Sequence, residues 1–240
     1  MTVAIRLHQL RKTFVLHNQG GARLPVLAGV TAEARFGRCL VLHGPSGSGK
    51  STLLRTLYGN YKPDAGYVEI AHDGGHIRLP DDNTRAIIRA RRQTLAYVSQ
   101  FLRVIPRVSS LDVVAEPLIE QGQPRAVALE RAARLLDTLA VPERLWHLPP
   151  GTFSGGEQQR INIARGFVAE KPIILLDEPT ASLDAANAER VVGLIETAKQ
   201  GGACIVGIFH DRTIRERVAD DVLALSPVTA ATSFACGEPA

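Results

Sequence analysis

Residues 44–52 read Gly44-Pro45-Ser46-Gly47-Ser48-Gly49-Lys50-Ser51-Thr52, the most informative segment of the sequence. It fits the pattern GxxxxGK[ST], a glycine-rich loop that joins a strand to a helix. The apolar residues 38–43 predict the strand and residues 50–57 predict the helix. Glycines let backbone N–H groups and a helix N-terminus surround phosphate oxygens. Lys50 adds a positive charge for the terminal phosphates, and the Ser51 hydroxyl is a candidate Mg²⁺ ligand. The whole stretch is therefore a predicted nucleotide phosphate site.

A second signal lies about 125 residues later, where Ile173-Ile174-Leu175-Leu176 is followed directly by Asp177-Glu178. A buried parallel strand that ends in acids delivers carboxylates to the crevice where open α/β sheets bind ligands. We expect Asp177 in the magnesium shell. Glu178, one residue on, is a candidate general base that polarises a water molecule for attack on the γ phosphate.

The third signal is Ser154-Gly155-Gly156-Glu157, which opens a stretch of helical periodicity. A serine N-cap followed by two glycines predicts a second anion site, because unpaired N–H groups and the helix dipole favour phosphate there. One nucleotide does not need two helix N-termini of the same chain.

Composition excludes several classes of protein. The chain has 240 residues, of which 45% are hydrophobic and 22% charged, the balance of an ordinary globular protein. No run approaches the roughly 18 apolar residues of a membrane span, so we expect no direct membrane insertion. The first ten residues do not resemble a secretory leader, which predicts a cytoplasmic protein. The 28 basic residues exceed the 24 acidic ones only slightly, so nucleic acid is not expected as a partner.

Apolar, β-branched runs alternate with helical stretches along the chain, which predicts an α/β fold. Between residues 109 and 140 the pattern is purely helical and indicates an inserted helical block, with one apolar stripe at residues 129, 132, 133, 136 and 139. Residues 73–75 predict a turn, a reading preferred over metal binding by the flanking His72 and His76. The unpaired cysteines are expected to be small buried side chains. The arginine cluster of residues 85–92 is expected to be a solvated or partner-facing surface. The predicted strands span residues 3–10, 26–34, 38–43, 66–71, 96–98, 173–176, 204–208 and 222–225.

Together the three motifs resemble the Walker A, Walker B and signature motifs of the ABC ATPase family. The resemblance implies an α/β cassette at residues 1–225, with a mixed sheet core, an N-terminal antiparallel part and a helical subdomain at about 101–165. The composition of residues 226–240, rich in Pro, Ala, Thr and Ser, predicts a loosely ordered tail. The family resemblance also implies ATP and Mg²⁺ as cofactors. By position in the motifs, Phe14 would stack on adenine and Asp184 would belong to the D-loop. Gln100 would touch the metal and the attacking water, and His210 would contact the γ phosphate. The resemblance thus adds Gln100 to Ser51 and Asp177 as candidate metal ligands, and it places Lys50 with Glu178, Gln100 and His210 among the catalytic residues. Taken alone, Phe14 could equally be a core residue at a strand end.

The signature departs from the family at two positions, with Phe153 in place of the usual Leu and Glu157 in place of the usual Gln. Phe153 is expected to be a packing variation. Glu157 leaves Ser154, Gly155 and Gly156 in place but adds negative charge near phosphate, which leaves the hydrolysis rate open.

Within the family, residues 101–106, 142–148 and 207–211 resemble the L component of the bacterial carbon–phosphorus lyase system for phosphonates. Phe209 stands where most transporter subunits have Thr or Ser. The ABC family implies a head-to-tail dimer, either with itself or with a sister ABC ATPase, and the closer resemblance implies soluble lyase subunits as partners. The alternative is the motor subunit of an ABC transporter that docks a membrane permease near residues 101–106. A chromosome or repair ATPase would need coiled coils or zinc modules, which the sequence lacks.

Overall fold

The computed structural model describes residues 2–80, 84–102 and 106–228. Within them the strands and helices follow the predicted alternation. The strands are β1 (Val3–Leu16), β2 (Ala22–Arg35), β3 (Cys39–His43), β4 (Ala65–His72), β5 (Gly75–Leu79), β6 (Leu95–Val98), β7 (Ile173–Asp177), β8 (Cys204–Ile208) and β9 (Asp221–Ala224). The helices are α1 (Lys50–Leu57), α2 (Thr84–Gln93), α3 (Ser110–Glu120), α4 (Arg125–Thr138), α5 (Gly155–Phe167), α6 (Ala185–Gln200) and α7 (Arg212–Val218).

Two sheets divide the strands by direction. The strands β2-β1-β4-β5 form an antiparallel sheet, and β6-β7-β8-β3-β9 form a sheet in which every neighbouring pair is parallel. The central strands β7 and β8 are buried along their whole length, as expected for parallel strands covered on both faces. The expected α/β fold with an antiparallel N-terminal part is confirmed, with the two strand types in separate sheets.

The helical block consists of α3, α4 and α5, which pack on one side of the parallel sheet. The predicted apolar stripe of α4 is confirmed, since Ala132, Leu136 and Leu139 are fully buried. These residues belong to one hydrophobic core with Ile174 and Leu176 of β7 and with α6. A second core lies between α1 and the antiparallel sheet. No helix in the described ranges has the length and apolarity to cross a bilayer.

Several expectations need adjustment. The first strand runs to Leu16 rather than to residue 10, because it pairs with β2 over its whole length. The turn at residues 73–75 is confirmed and joins β4 to β5, a strand that the sequence reading omitted. Cys39 and Cys204 are buried and burial raises the pKa of both thiols, as expected of inert side chains. Residues 229–240, which hold Cys236 and most of the predicted tail, and residues 103–105 lie outside the described residues.

Candidate active site

The strand order brings the predicted chemical groups to one edge. Strands β6, β7, β8 and β3 are neighbours and parallel, so their carboxyl ends meet at the same side of the sheet. Gln100, Asp177 with Glu178, His210 and the loop of residues 44–49 each lie at or just beyond one of these ends. Open α/β sheets bind ligands at this edge.

The loop between β3 and α1 has the backbone that phosphate binding requires. Gly44, Gly47 and Gly49 all have positive φ, at 153°, 79° and 89°. A Cβ on Gly44 would lie 2.1 Å from the Leu225 carbonyl oxygen, and one on Gly49 would lie 2.8 Å from that of Val26. The loop therefore packs so closely on its surroundings that no other residue fits at these two positions.

Lys50 and Ser48 line the inside of this loop. The Lys50 ammonium donates to the carbonyl oxygens of Gly44 and Pro45, at 2.8 Å each, so its charge is held over the loop. The Ser48 hydroxyl is buried and, among the described residues, makes no hydrogen bond. A buried hydroxyl without a partner in the phosphate loop fits an anionic ligand of the loop.

The predicted metal ligands Ser51 and Asp177 are in contact. The Ser51 hydroxyl donates to Asp177 Oδ1 at 2.9 Å, and the Tyr97 hydroxyl donates to Asp177 Oδ2 at 2.9 Å. Asp177 is 2% exposed. A buried carboxylate beside a hydroxyl on the phosphate loop is the oxygen donor set that Mg²⁺ prefers, so these residues fit the ion. When bound, Mg²⁺ would neutralise phosphate charge between Ser51 and Asp177.

Glu178 is contacted from both sides by two of the other predicted catalytic residues, Gln100 and His210. Gln100 Nε2 donates to Glu178 Oε2 at 3.1 Å, and His210 Nε2 lies 2.6 Å from Glu178 Oε1. Glu178 has a φ of 54°, a backbone angle that few residues other than glycine adopt. This strained turn aims the carboxylate from the end of β7 at both partners, which suits a base whose orientation matters.

Phe14 lies near the end of β1 in a small aromatic cluster. Its ring meets Tyr61 edge to face at 5.2 Å between centroids, and the Lys12 ammonium lies 5.4 Å from its centroid. Phe14 is only partly buried, which favours the stacking role over the core role.

The signature segment forms a capping box at the start of α5. Ser154 Oγ accepts from the Glu157 backbone N–H, and Glu157 Oε2 accepts from the Ser154 N–H at 3.0 Å and from its hydroxyl at 2.8 Å. Hydrogen bonds to Ser154 lower the pKa of Glu157. The added carboxylate is thus turned back onto Ser154 as a cap, while Gly155 remains exposed.

Asp184 caps α6, where its carboxylate accepts from the Asn187 backbone N–H at 2.8 Å and from the Asn187 side-chain amide at 2.9 Å. These hydrogen bonds lower its pKa. The structure therefore gives Asp184 a structural task, and its place in nucleotide binding stays a prediction.

Sequence reasoning missed Tyr97, Tyr61 and Arg55. Tyr97 could have been found, because it lies three residues before Gln100 on the strand beside β7. Tyr61 and Arg55 carry no motif, and only the packing of α1 against the antiparallel sheet brings them to Phe14 and Tyr97.

The fold and this site define an ATPase of the ATP-binding cassette type. One chain carries the phosphate loop, the buried carboxylate of Asp177 that fits Mg²⁺, the candidate base Glu178 and the signature helix. The profile of the ABC transporter family matches residues 27–181. The chain belongs to this family, and it is an ATP-binding, ATP-hydrolysing subunit.

Curated relatives agree on the family. The lipoprotein-releasing system ATP-binding protein LolD of Novosphingobium aromaticivorans is 39% identical over 213 residues, covering 87% of this chain and 90% of that protein. LolD of Legionella pneumophila strain Paris is 37% identical and covers 90% and 92%. The macrolide export ATP-binding/permease protein MacB of Brucella abortus is 38% identical over 89% of this chain but only 32% of its own length.

Solved structures agree on the fold. The ATP-binding cassette MJ0796, described as dimeric and bound to ADP and Pi after hydrolysis, superposes with a TM-score of 0.83 over 92% of this chain and 94% of its own at 30% identity. A second dimeric structure of MJ0796, described as a bacterial ABC transporter cassette, gives the same TM-score and identity.

Proposed function

We propose that this chain is the ATP-hydrolysing subunit of a larger assembly, and that it works as a head-to-tail pair of cassettes. The observation that carries the proposal is the separation of its two anion sites. Within the described residues, the hydrogen bonds of Ser154 and Glu157 are with each other and with neighbouring residues, and none reaches the loop of residues 44–52. A signature helix whose N-terminal end, Ser154 and Gly155, is exposed and is not used by its own phosphate loop fits one that closes the site of a second chain.

Dimerisation tests this proposal. Glu178→Gln should bind ATP without hydrolysing it and should sediment as a dimer in Mg-ATP. Adding Gly155→Glu should abolish the dimer and keep ATP binding, because the new side chain meets nothing within 4 Å in its own chain but would face the partner's phosphates. Gly193→Glu is the matched control, at an exposed and equally open helical glycine. A dimer that survives Gly155→Glu would overturn the head-to-tail arrangement.

The comparisons favour a membrane permease as the partner, since the curated relatives above serve lipoprotein release and macrolide export and MacB joins cassette and permease in one chain. The structure offers a place beside the catalytic edge, where Phe101 follows Gln100 and is 72% exposed. An aromatic ring exposed next to the γ-phosphate side of the site suits a contact that senses hydrolysis. In this candidate the chain is the motor subunit of a transporter.

A soluble phosphonate-processing assembly is the second candidate, favoured by the resemblance of three segments to the carbon–phosphorus lyase component. In the segment of residues 207–211, two positions depend on each other: Phe209 is buried, and a Cβ on Gly207 would lie 2.5 Å from its ring. Phe209 before the histidine therefore requires Gly207, and the pair distinguishes this chain from subunits with a small polar residue there. In this candidate the chain would act in the cytoplasm beside a sister ATPase.

Co-purification separates the two candidates. A tagged full-length chain expressed in its own cells should bring down a membrane permease in the first case and soluble carbon–phosphorus lyase subunits in the second. Deletion of the gene should leave growth on methylphosphonate as sole phosphorus source intact in the first case and abolish it in the second. Leu102→Asp should weaken the association with little change in ATP affinity if the partner docks beside Gln100. Because Leu102 is only 9% exposed, the folding of this variant must be checked by thermal melting. Arg103→Glu is the companion variant in the same segment.

A further inference from the structure

We propose that the outer side of α2 docks an acidic segment of a partner protein. We name this surface the arginine face and define it as Arg85, Ile88, Arg89 and Arg92. The four positions are spaced i, i+3, i+4 and i+7, so they share one side of the helix, and all four residues are exposed. The inference rests on the proposed function only for the premise that the chain works inside an assembly.

The opposite side of α2 packs the helix against the protein. Ala90 is fully buried and Ile87 packs against the second core. Arg91, the remaining arginine, points inward: it donates to the Tyr58 carbonyl at 2.9 Å and to Asn60 Oδ1 at 3.0 Å, with its guanidinium 4.7 Å from the Tyr58 ring. The arginine face is therefore not required to hold α2 in place.

The three arginines of this face are uncompensated. Across residues 2–80, 84–102 and 106–228, the side chains of Arg85, Arg89 and Arg92 form no ion pair and no hydrogen bond, whereas arginines on other elements, such as Arg38 and Arg165, are paired with carboxylates. Three neighbouring guanidinium groups repel one another, and a bound anion would offset this repulsion and accept their hydrogen bonds.

A groove of about 750 Å³ lies beside the arginine face. Its other walls are the turn after β4, with His72 and Asp73, and the residues at the end of α3, with Glu120, Gln121 and Gln123. Glu120 also acts on the buried Lys171, whose charged form it favours. Asp73 and Glu120 thus offset only part of the charge, and the glutamines offer hydrogen bonds to a bound chain.

Ile88 decides the class of occupant. Ile88 is 45% exposed, and its position on the helix face lies between those of Arg85 and Arg92. A free phosphate would satisfy the arginines but leave this apolar side chain in water, whereas a peptide segment with several carboxylates and one aliphatic residue covers both. The arginine face spans only about 10 Å along the helix, which suits the binding of a short protein segment better than that of a nucleic acid.

Site-specific photo-crosslinking tests the proposal in the full-length chain. p-Benzoylphenylalanine is placed at position 88 and, as a control, at position 127 of α4, where Val127 is also an exposed aliphatic residue. The assembly is purified from the chain's own cells, irradiated, and the crosslinked peptides are sequenced. We expect position 88 to yield one partner segment with at least three Asp or Glu within about eight residues, and position 127 not to yield it.

Charge reversal supplies the second arm. Arg85→Glu with Arg89→Glu should reduce the yield of that crosslink about tenfold, since like charges across an interface are strongly unfavourable. Arg131→Glu, an exposed arginine of α4, should leave it within about twofold. A crosslink to a second copy of this chain, to a segment without acidic residues, to lipid or to nucleic acid would overturn the proposal, as would no crosslink or an equal loss in both variants.

The same samples separate this proposal from the proposed function. Thermal melting and ATP affinity should be unchanged in the arginine-face variants, because α2 lies outside the nucleotide site. If the Glu178→Gln variant fails to dimerise, the head-to-tail pairing is wrong, whereas the crosslink at position 88 still reports on the arginine face. If dimerisation succeeds and the crosslink fails, only the arginine face is wrong.

Discussion

At the scale of single residues, the chemistry depends on how Glu178 is held. Its carboxylate is shared between Gln100 and His210, and the positive φ of Glu178 keeps it at the end of β7. Lys50, in contrast, acts through charge on the phosphate loop. The two residues should therefore fail in different ways when they are changed.

Glu178→Gln should lower the ATPase rate by about 10²- to 10⁴-fold and keep ATP affinity, because it retains size and hydrogen bonding but cannot take a proton. Lys50→Ala should instead weaken ATP binding by about 10- to 100-fold, the loss of a charge-assisted contact. Steady-state hydrolysis and fluorescent-nucleotide titration measure the two effects. An unchanged rate for the first variant or normal affinity for the second would contradict these assignments.

Tyr97 is expected to position Asp177. Its hydroxyl donates to Asp177 Oδ2, and burial, followed by the charge of Asp177, raises the pKa of Tyr97, so it remains a donor at neutral pH. Tyr97→Phe should raise the Mg²⁺ concentration for half-maximal ATPase activity about tenfold and leave metal-free ATP binding unchanged. Tyr58→Phe is the matched control, since Tyr58 stacks on Tyr97 but its hydroxyl makes no hydrogen bond to any described residue. An equal Mg²⁺ shift in both variants would show that the effect does not come from the hydrogen bond of Tyr97 to Asp177.

At the scale of elements, the signature helix illustrates how a family departure is absorbed. Glu157 occupies the third position of α5, where a carboxylate both caps Ser154 and opposes the positive helix dipole. Its orientation toward Ser154 was not predictable from the motif alone, because the sequence permits the side chain to point either at the cap or at a ligand.

The capping role has a stability consequence. Glu157→Gln should keep the melting temperature, because Gln also completes a capping box, whereas Glu157→Ala should lower it by about 1–2 °C, the equivalent of about 0.5 kcal/mol. Scanning calorimetry at pH 7 measures both. Equal losses for Gln and Ala would mean that the charge, and not the hydrogen bond, stabilises the helix.

At the scale of the whole molecule, an ion pair between residues 183 positions apart in the sequence links the neighbouring strands β3 and β9. Arg38, just before β3, donates two hydrogen bonds to Asp221, the first residue of β9, at 2.7 and 2.9 Å. The Arg38 hydrogen bond lowers the pKa of Asp221 below its ordinary value. Because the folded pKa is depressed, this stabilisation is present above the unfolded pKa of Asp, about 3.9, and is lost as the pH falls through the folded value.

Asp221→Asn should therefore destabilise the protein modestly at pH 7 and less at pH 3, so the two melting curves should converge as the pH falls. The pair is partly exposed, and added salt should reduce the difference at pH 7. Melting temperatures from pH 7 to pH 3 at low and high salt test this. A difference that grows on acidification would have the wrong sign for this pair.

Local sequence patterns were sufficient to predict the α/β class, the phosphate loop, the Asp177–Glu178 strand end and the start of α5. These are local patterns in which residue type and spacing carry the chemistry: glycines at positive φ, a buried apolar run that ends in acids, and a serine cap. The alternation of apolar residues likewise predicted most strands and the stripe of α4.

The contacts between residues distant in sequence depend on the tertiary structure. Strand order put Gln100 and His210 on either side of Glu178 and brought Tyr97 to Asp177, contacts that span up to 80 residues of sequence. It also turned Arg91 inward while leaving Arg85, Arg89 and Arg92 outward, although the four belong to one cluster in the sequence. Sequence patterns describe each element separately, whereas the pairing of strands and the packing of helices, which depend on the whole chain, fix the contacts between them.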